Sequence, residues 1–193
     1  KFHALRAVSL AALFLLAASF AGAAKADAPD PAVQQIQSFY DVLLDSMKHA
    51  KELGLQGRYN KLKPAIEESF DLPDMIAMAV GPKWATMSPA DQQALQAAFE
   101  RMTIANYAKN FDGYSGEKFT VEPTVMSRGA DKIVQSKLVT SGQTVPFNYR
   151  MRQTGGTWKV FDIYLNGTIS QLAVQRSDYS ATVSAGGAAA LVK

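Results

Sequence analysis

The apolar residues of this chain change their spacing halfway along, and that change constrains the fold more than any other feature. Between Val33 and Met102 they recur every three to four residues, whereas from Phe119 to Leu165 the apolar runs are short and in places alternate. The first pattern belongs to amphipathic helices and the second to strands. A run of helices followed by a run of strands makes an α+β domain.

The helical half carries its own punctuation. Asp30-Pro31 supplies an N-cap and a first-turn proline ahead of Val33, Ile36, Tyr40, Leu43 and Met47, with Gly54 and Gly57 expected at the end of that helix. A shorter helix is predicted over Lys61 to Ser69, bent at Pro64, and another over Met75 to Val80, opened by Asp71-Leu72-Pro73-Asp74 and stopped by Gly81-Pro82. Ser88-Pro89-Ala90-Asp91 is the strongest start, and its helix should reach about Asn110 with Leu95, Phe99 and Met102 on one face.

Four strands are predicted in the second half: Phe119 to Val121, Ile133 to Val139, Val145 to Met151 and Trp158 to Leu165. Short Gly- and Ser-containing breaks between them favour antiparallel hairpins. In the third, Val145, Phe147, Tyr149 and Met151 share one face while Asn148, Arg150 and Arg152 share the other. The fourth is apolar on both faces and reads as a central strand. A last helix is expected from Ser170 to Val183, ahead of an Ala/Gly-rich tail.

The first 26 residues stand apart. A basic start at Lys1, His3 and Arg6 leads into the apolar run Ala7 to Phe20 and closes on the small residues Ala21 to Ala26. These are the parts of a secretory signal, with cleavage expected after Ala24 or Ala26. The apolar run is short of the ~20 residues a spanning helix needs. The working molecule is then a single domain over residues 27–193. Losing Lys1, Arg6 and Lys25 takes Lys+Arg from 20 to 17, equal to the 17 Asp+Glu. The basicity belongs to the export segment, so nucleic acid is not an expected partner. Without Cys there is no disulfide framework and no thiolate metal site.

Catalytic groups are scarce. His49 is the one histidine outside the export segment, and it sits among lysines on a polar helix stretch. Ser115-Gly116-Glu117-Lys118 matches S-x-x-K, but glycines flank the serine where a catalytic dyad would need a helix start. Asp162, on the fourth strand, reads either as a general base in a pocket or, the favoured reading, as an acid paired with Arg150 or Arg152. No cofactor or metal is expected. The large aromatic and Met-rich inventory reads by default as core, since periodicity does not separate a filled core from a lined cavity.

Phe70-Asp71, Ile76, Val80-Gly81, Trp84, Ser88-Pro89, Gln92, Phe99 and Tyr107, then Tyr149-Arg150, Trp158-Lys159-Val160, Asp162 and Gly167, follow one another in a characteristic order and spacing. That order resembles the MlaC-like, toluene-tolerance family of auxiliary proteins in periplasmic lipid transport. The stretch Asp162 to Ser170, with Gly186-Gly187, looks more like the HpnM branch associated with hopanoid biosynthesis than the family's usual Glu-Gly-Val-Ser.

The resemblance implies an NTF2-like α+β fold in which helices and an antiparallel sheet enclose an apolar cavity. It implies a periplasmic monomer that ferries a phospholipid or hopanoid between an inner-membrane ABC transporter complex and an outer-membrane partner, with no enzymatic step. The residues expected to line the cavity are Ile76, Trp84, Phe99 and Met102 from the helices, with Phe147, Tyr149, Met151, Val160 and Ile163 from the strands. Val160 and Ile163 fall on opposite faces of a regular strand, so at most one should touch a ligand. Two rivals follow from the same residues: an NTF2-like enzyme on an apolar substrate, with Asp162 as base and Tyr164 assisting, and a ligand-free adaptor with a filled core.

Overall fold

The structure is a computed structural model that describes residues 28–192. The segment read as a signal peptide lies outside the described residues. Helix α1 (Pro31–Lys48) is followed by α2 (Ala50–Ser69), α3 (Leu72–Val80), a 3-10 turn (Gly81–Thr86) and α4 (Pro89–Asn110). Strands β1 (Lys118–Arg128), β2 (Asp131–Val139), β3 (Thr144–Thr154), β4 (Thr157–Leu165) and β5 (Ile169–Ser170) form one antiparallel sheet in sequence order, and α5 (Gln171–Val192) ends the chain. No helix among the described residues is long and apolar enough to cross a membrane.

The helix starts form where the capping chemistry places them. The Asp30 carboxylate accepts from the Ala32 N–H at 2.9 Å, and Lys132 of β2 donates to both its oxygens, so the cap of α1 is also tied to the sheet. Ser88 accepts from the Asp91 N–H at 3.1 Å. Asp71 accepts from the Asp74 N–H at 3.3 Å. Each cap satisfies a helix N–H that has no partner inside its own helix.

Other boundaries differ from expectation. The first helix ends at Lys48 rather than near Gly54, and α2 begins almost at once. Gly54 interrupts α2 with a φ of 58°, while Gly57 lies within its helical run. Strand β1 is 11 residues long, not three. Its register with β2 shifts between Val121 and Val125, around Pro123. An edge strand tolerates a proline there because no further strand needs its N–H. The sheet gains β5 because Asn166 and Gly167 both take positive φ and turn the chain back on itself. Helix α5 runs on through the alanine-rich tail, as the helix preference of alanine allows, with a break at Gly187.

The fourth strand holds the most consequential correction. Arg150 pairs with Asp162 but Met151 pairs with Val160, which leaves Phe161 as an additional residue in β4. This bulge cancels the strict alternation. Tyr149 and Met151 lie on one face of β3, so their partners Ile163 and Val160 share a face too. The expectation that they oppose each other fails.

One core joins the helices to that face of the sheet. Ile36, Phe39, Leu43, Leu62, Ile66, Phe70 and Met151 are fully buried in it. Phe39 meets Phe70 and Tyr107 edge-on, at centroid distances of 5.2 and 5.5 Å. Burying each such side chain is worth about 1.5–3 kcal/mol.

Candidate functional site: an apolar cavity between helices and sheet

The space between helices and sheet is not filled throughout. A cavity of about 360 Å³ lies between α1, α3, α4, the start of α5 and the sheet. Its apolar lining comes from Leu43 of α1, Phe70, Met75 of α3, Phe99 and Met102 of α4, Phe111, Phe119 of β1, Phe147 of β3, and Ile163 and Leu165 of β4. Its neutral polar side chains are Thr103, Asn106 and Asn110 on α4 and Gln171 and Gln175 on α5. Among the described residues, no charged one lines it.

Three phenols complete the wall. The Tyr40 hydroxyl lies 2.7 Å from Ser136 Oγ and 3.0 Å from the Tyr149 hydroxyl, and Ser136 donates onward to the Phe147 carbonyl at 2.6 Å. Burial pushes the Tyr40 hydroxyl up to about 12, and raises those of Tyr107 and Tyr149 as well. All three stay protonated at neutral pH, so the cavity carries no charge there.

Of the nine residues expected to line a cavity, Phe99, Met102, Phe147, Tyr149 and Ile163 do so. Ile76 faces a second, smaller space of about 200 Å³ between α3, α4 and α5, which Phe99 and Met102 also border. Trp84 lies in an open groove with Leu172 and Arg176, because the chain turns at Gly81, the first residue of the 3-10 segment. Met151 and Val160 are fully buried in the core and line neither of these two spaces. The reason is local: the Val160 carbonyl accepts from the Asp71 N–H at 2.8 Å, so the junction between α2 and α3 packs onto that part of β4.

Other lining residues lay outside the sequence reading's candidate set. Tyr40 and Leu43 were visible on the apolar stripe of the first helix, but a stripe marks burial and not a void beside it. Gln171 and Gln175 carried no signal, since an exposed helix face and a cavity rim use the same residue types.

Asp162 does not face the cavity. Its carboxylate accepts from the Ser170 hydroxyl at 2.7 Å and from the Leu172 N–H at 3.0 Å, which caps the start of α5. The pairing with Arg150 or Arg152 favoured from the sequence does not form. Arg150 and Arg152 instead converge on the buried Asp131, with Arg150 Nε at 3.0 Å and Arg152 Nε at 2.9 Å, and both guanidinium groups lie over the Phe161 ring. His49 lies 3.1 Å from the Asp45 carboxylate at the exposed end of α1. Ser115 lies on an exposed turn ahead of β1. Among the described residues, no three His, Asp or Glu side chains gather as a metal site.

The pattern of the MlaC protein family matches residues 37–193, most of the chain. The chain belongs to the MlaC family. Its fold is that of a solved phospholipid-binding protein from Ralstonia solanacearum in complex with a phospholipid, with a TM-score of 0.74 and 22% identity. That match covers 84% of this chain and 93% of the other, and at such identity the likeness is one of fold. No curated protein matches.

Proposed function

We propose that this MlaC-family protein is a periplasmic lipid carrier, which takes up the acyl chains of a phospholipid or the ring body of a hopanoid in the cavity beneath α4 and α5. It would receive and deliver its cargo at an inner-membrane ABC transporter complex and an outer-membrane partner. The observation that carries this reading is the cavity itself, an uncharged hollow walled by Phe, Tyr, Leu and Met with its neutral polar side chains on α4 and α5. A two-chain lipid entering water faces about 24 kcal/mol from its methylenes, at ~0.8 kcal/mol each. An apolar lining lowers that barrier without any bond being made or broken. Family membership and the lipid held by the Ralstonia protein support the reading.

At about 360 Å³ the cavity lies at the small end of ligand sites. It takes part of one chain as it stands, and a full diacyl lipid needs a wider space than this. The enzyme reading loses its base, since both oxygens of Asp162 are engaged at the start of α5.

Native mass spectrometry of the protein purified without detergent tests the proposal. The expected result is a complex with one co-purified lipid, released on organic extraction. Protein free of lipid that also takes none from phospholipid vesicles would sink the carrier reading and favour an adaptor.

A further inference from the structure

Two buried side-chain polar atoms among the described residues have no hydrogen-bond partner, Ser46 Oγ and Gln175 Oε1. Ser46 lies inside α1 and does not line this cavity. Gln175 is different, because it stands on the second turn of α5 and forms part of the cavity wall. A buried amide oxygen without a donor is destabilising, and native proteins retain few of them. The Gln175 side chain lines the space where the proposed cargo would sit, and its rotation carries the shielded oxygen to that space.

The surroundings restrict what can meet it. Among the described residues no Lys, Arg, Asp or Glu lines the cavity, so a charged group drawn to Gln175 would be desolvated with no counter-charge. A phosphate or ester oxygen only accepts, and so it meets this side chain only with the carboxamide turned to present Nε2. A hydroxyl donates to Oε1, and it also accepts from Nε2 if the carboxamide turns over. It is the neutral group that suits the site in either orientation.

Resting on the carrier reading, we propose that Gln175 positions the cargo by accepting a hydrogen bond from an uncharged hydroxyl. That hydroxyl would lie where the apolar part of the cargo meets its head, so the site prefers hydroxyl-bearing amphiphiles. The hydroxyl can belong to a polyol head group or to the backbone of a single-chain lipid, and the two share this chemistry.

The test uses delipidated protein and four probes: 1-dodecanol, dodecyl methyl ether of the same chain length, a monoacylglycerol, and a lysophospholipid with its free backbone hydroxyl. Wild type should bind the alcohol about threefold to tenfold more tightly than the ether, as one net hydrogen bond provides. Gln175→Leu should erase that difference, bringing the alcohol's affinity down to that of the ether. The same variant should melt no lower than wild type without ligand, since it removes an unpaired buried oxygen. A merely structural glutamine would instead lower the melting temperature and weaken both probes equally. Which of the two glycerolipids loses more affinity in Gln175→Leu identifies the source of the hydroxyl. Equal binding of alcohol and ether by wild type, or a preference that survives in the variant, overturns the assignment and leaves the carrier reading standing. Wild type that binds none of the four probes overturns both.

Discussion

Asp131 shows how a single side chain can be misread from sequence. The strand pattern marked Arg150 and Arg152 as a cationic face and offered Asp162 as their acid, because all three lie on neighbouring strands. The bulge at Phe161 leaves Asp162 opposite Arg150 in register, yet its oxygens go to α5, and the arginines turn to Asp131 at the start of β2. Hydrogen bonds from Arg152 and then Arg150 hold the Asp131 carboxyl below the usual range, against the opposing effect of burial. A carboxylate whose folded pKa is depressed stabilises the fold above its unfolded value, near 4, and that stability fades as pH falls through the folded value. Asp131→Asn should therefore cost about 1.5–3 kcal/mol at pH 7, the scale of hydrogen bonds to charged groups. The difference from wild type should shrink towards pH 2. Urea midpoints across that range check it; a constant difference would show that the carboxylate's charge is not what matters.

The elements were legible in proportion to how local their causes are. Three helix starts could be read because Asp30, Asp71 and Ser88 cap the turns that immediately follow them. Strand β1 runs well past the Phe119 to Val121 read from the sequence, because Pro123 is harmless at the sheet edge. The bulge had no sequence signal at all, since Phe161 is as apolar as its neighbours. Strand β5 did have one: Asn166-Gly167 after an apolar run is a strong turn signal. At this scale the attachment of α5 can be tested. Asp162→Ala removes both acceptors at its first turn, and a lost cap costs roughly 0.5–2 kcal/mol. Hydrogen exchange should quicken in α5 and β5 while α1 and α4 keep their protection. Gly167→Ala probes the turn before it. The glycine has a φ of 77°, and an added Cβ would stand 3.6 Å from Asn148 Nδ2, so the change is strained rather than blocked. It should lower stability by about 1 kcal/mol in a urea titration.

For the whole molecule the question is whether the space under α4 and α5 holds something, and here the sequence was silent for a physical reason. A void is defined by the volumes of side chains from several elements at once, so Phe147 beside a cavity and Met151 in the core look alike in a strand. A filled hollow should reveal itself in stability. A ligand that binds only the folded state stabilises it by about 2.7 kcal/mol at a hundred times its dissociation constant. Lipid-loaded protein should therefore melt well above the same protein after delipidation. Ile163→Trp places a larger side chain in the wall formed by Tyr149 and Ile163 and fills part of the hollow. Because the added volume goes into open space, the delipidated variant should melt close to delipidated wild type. The increment from lipid should nearly vanish, since the chains no longer fit. Melting curves of both proteins, with and without lipid, distinguish this from simple overpacking, which would cost roughly 1–3 kcal/mol in the lipid-free state as well. A variant that keeps the full lipid increment would place the cargo somewhere other than this cavity.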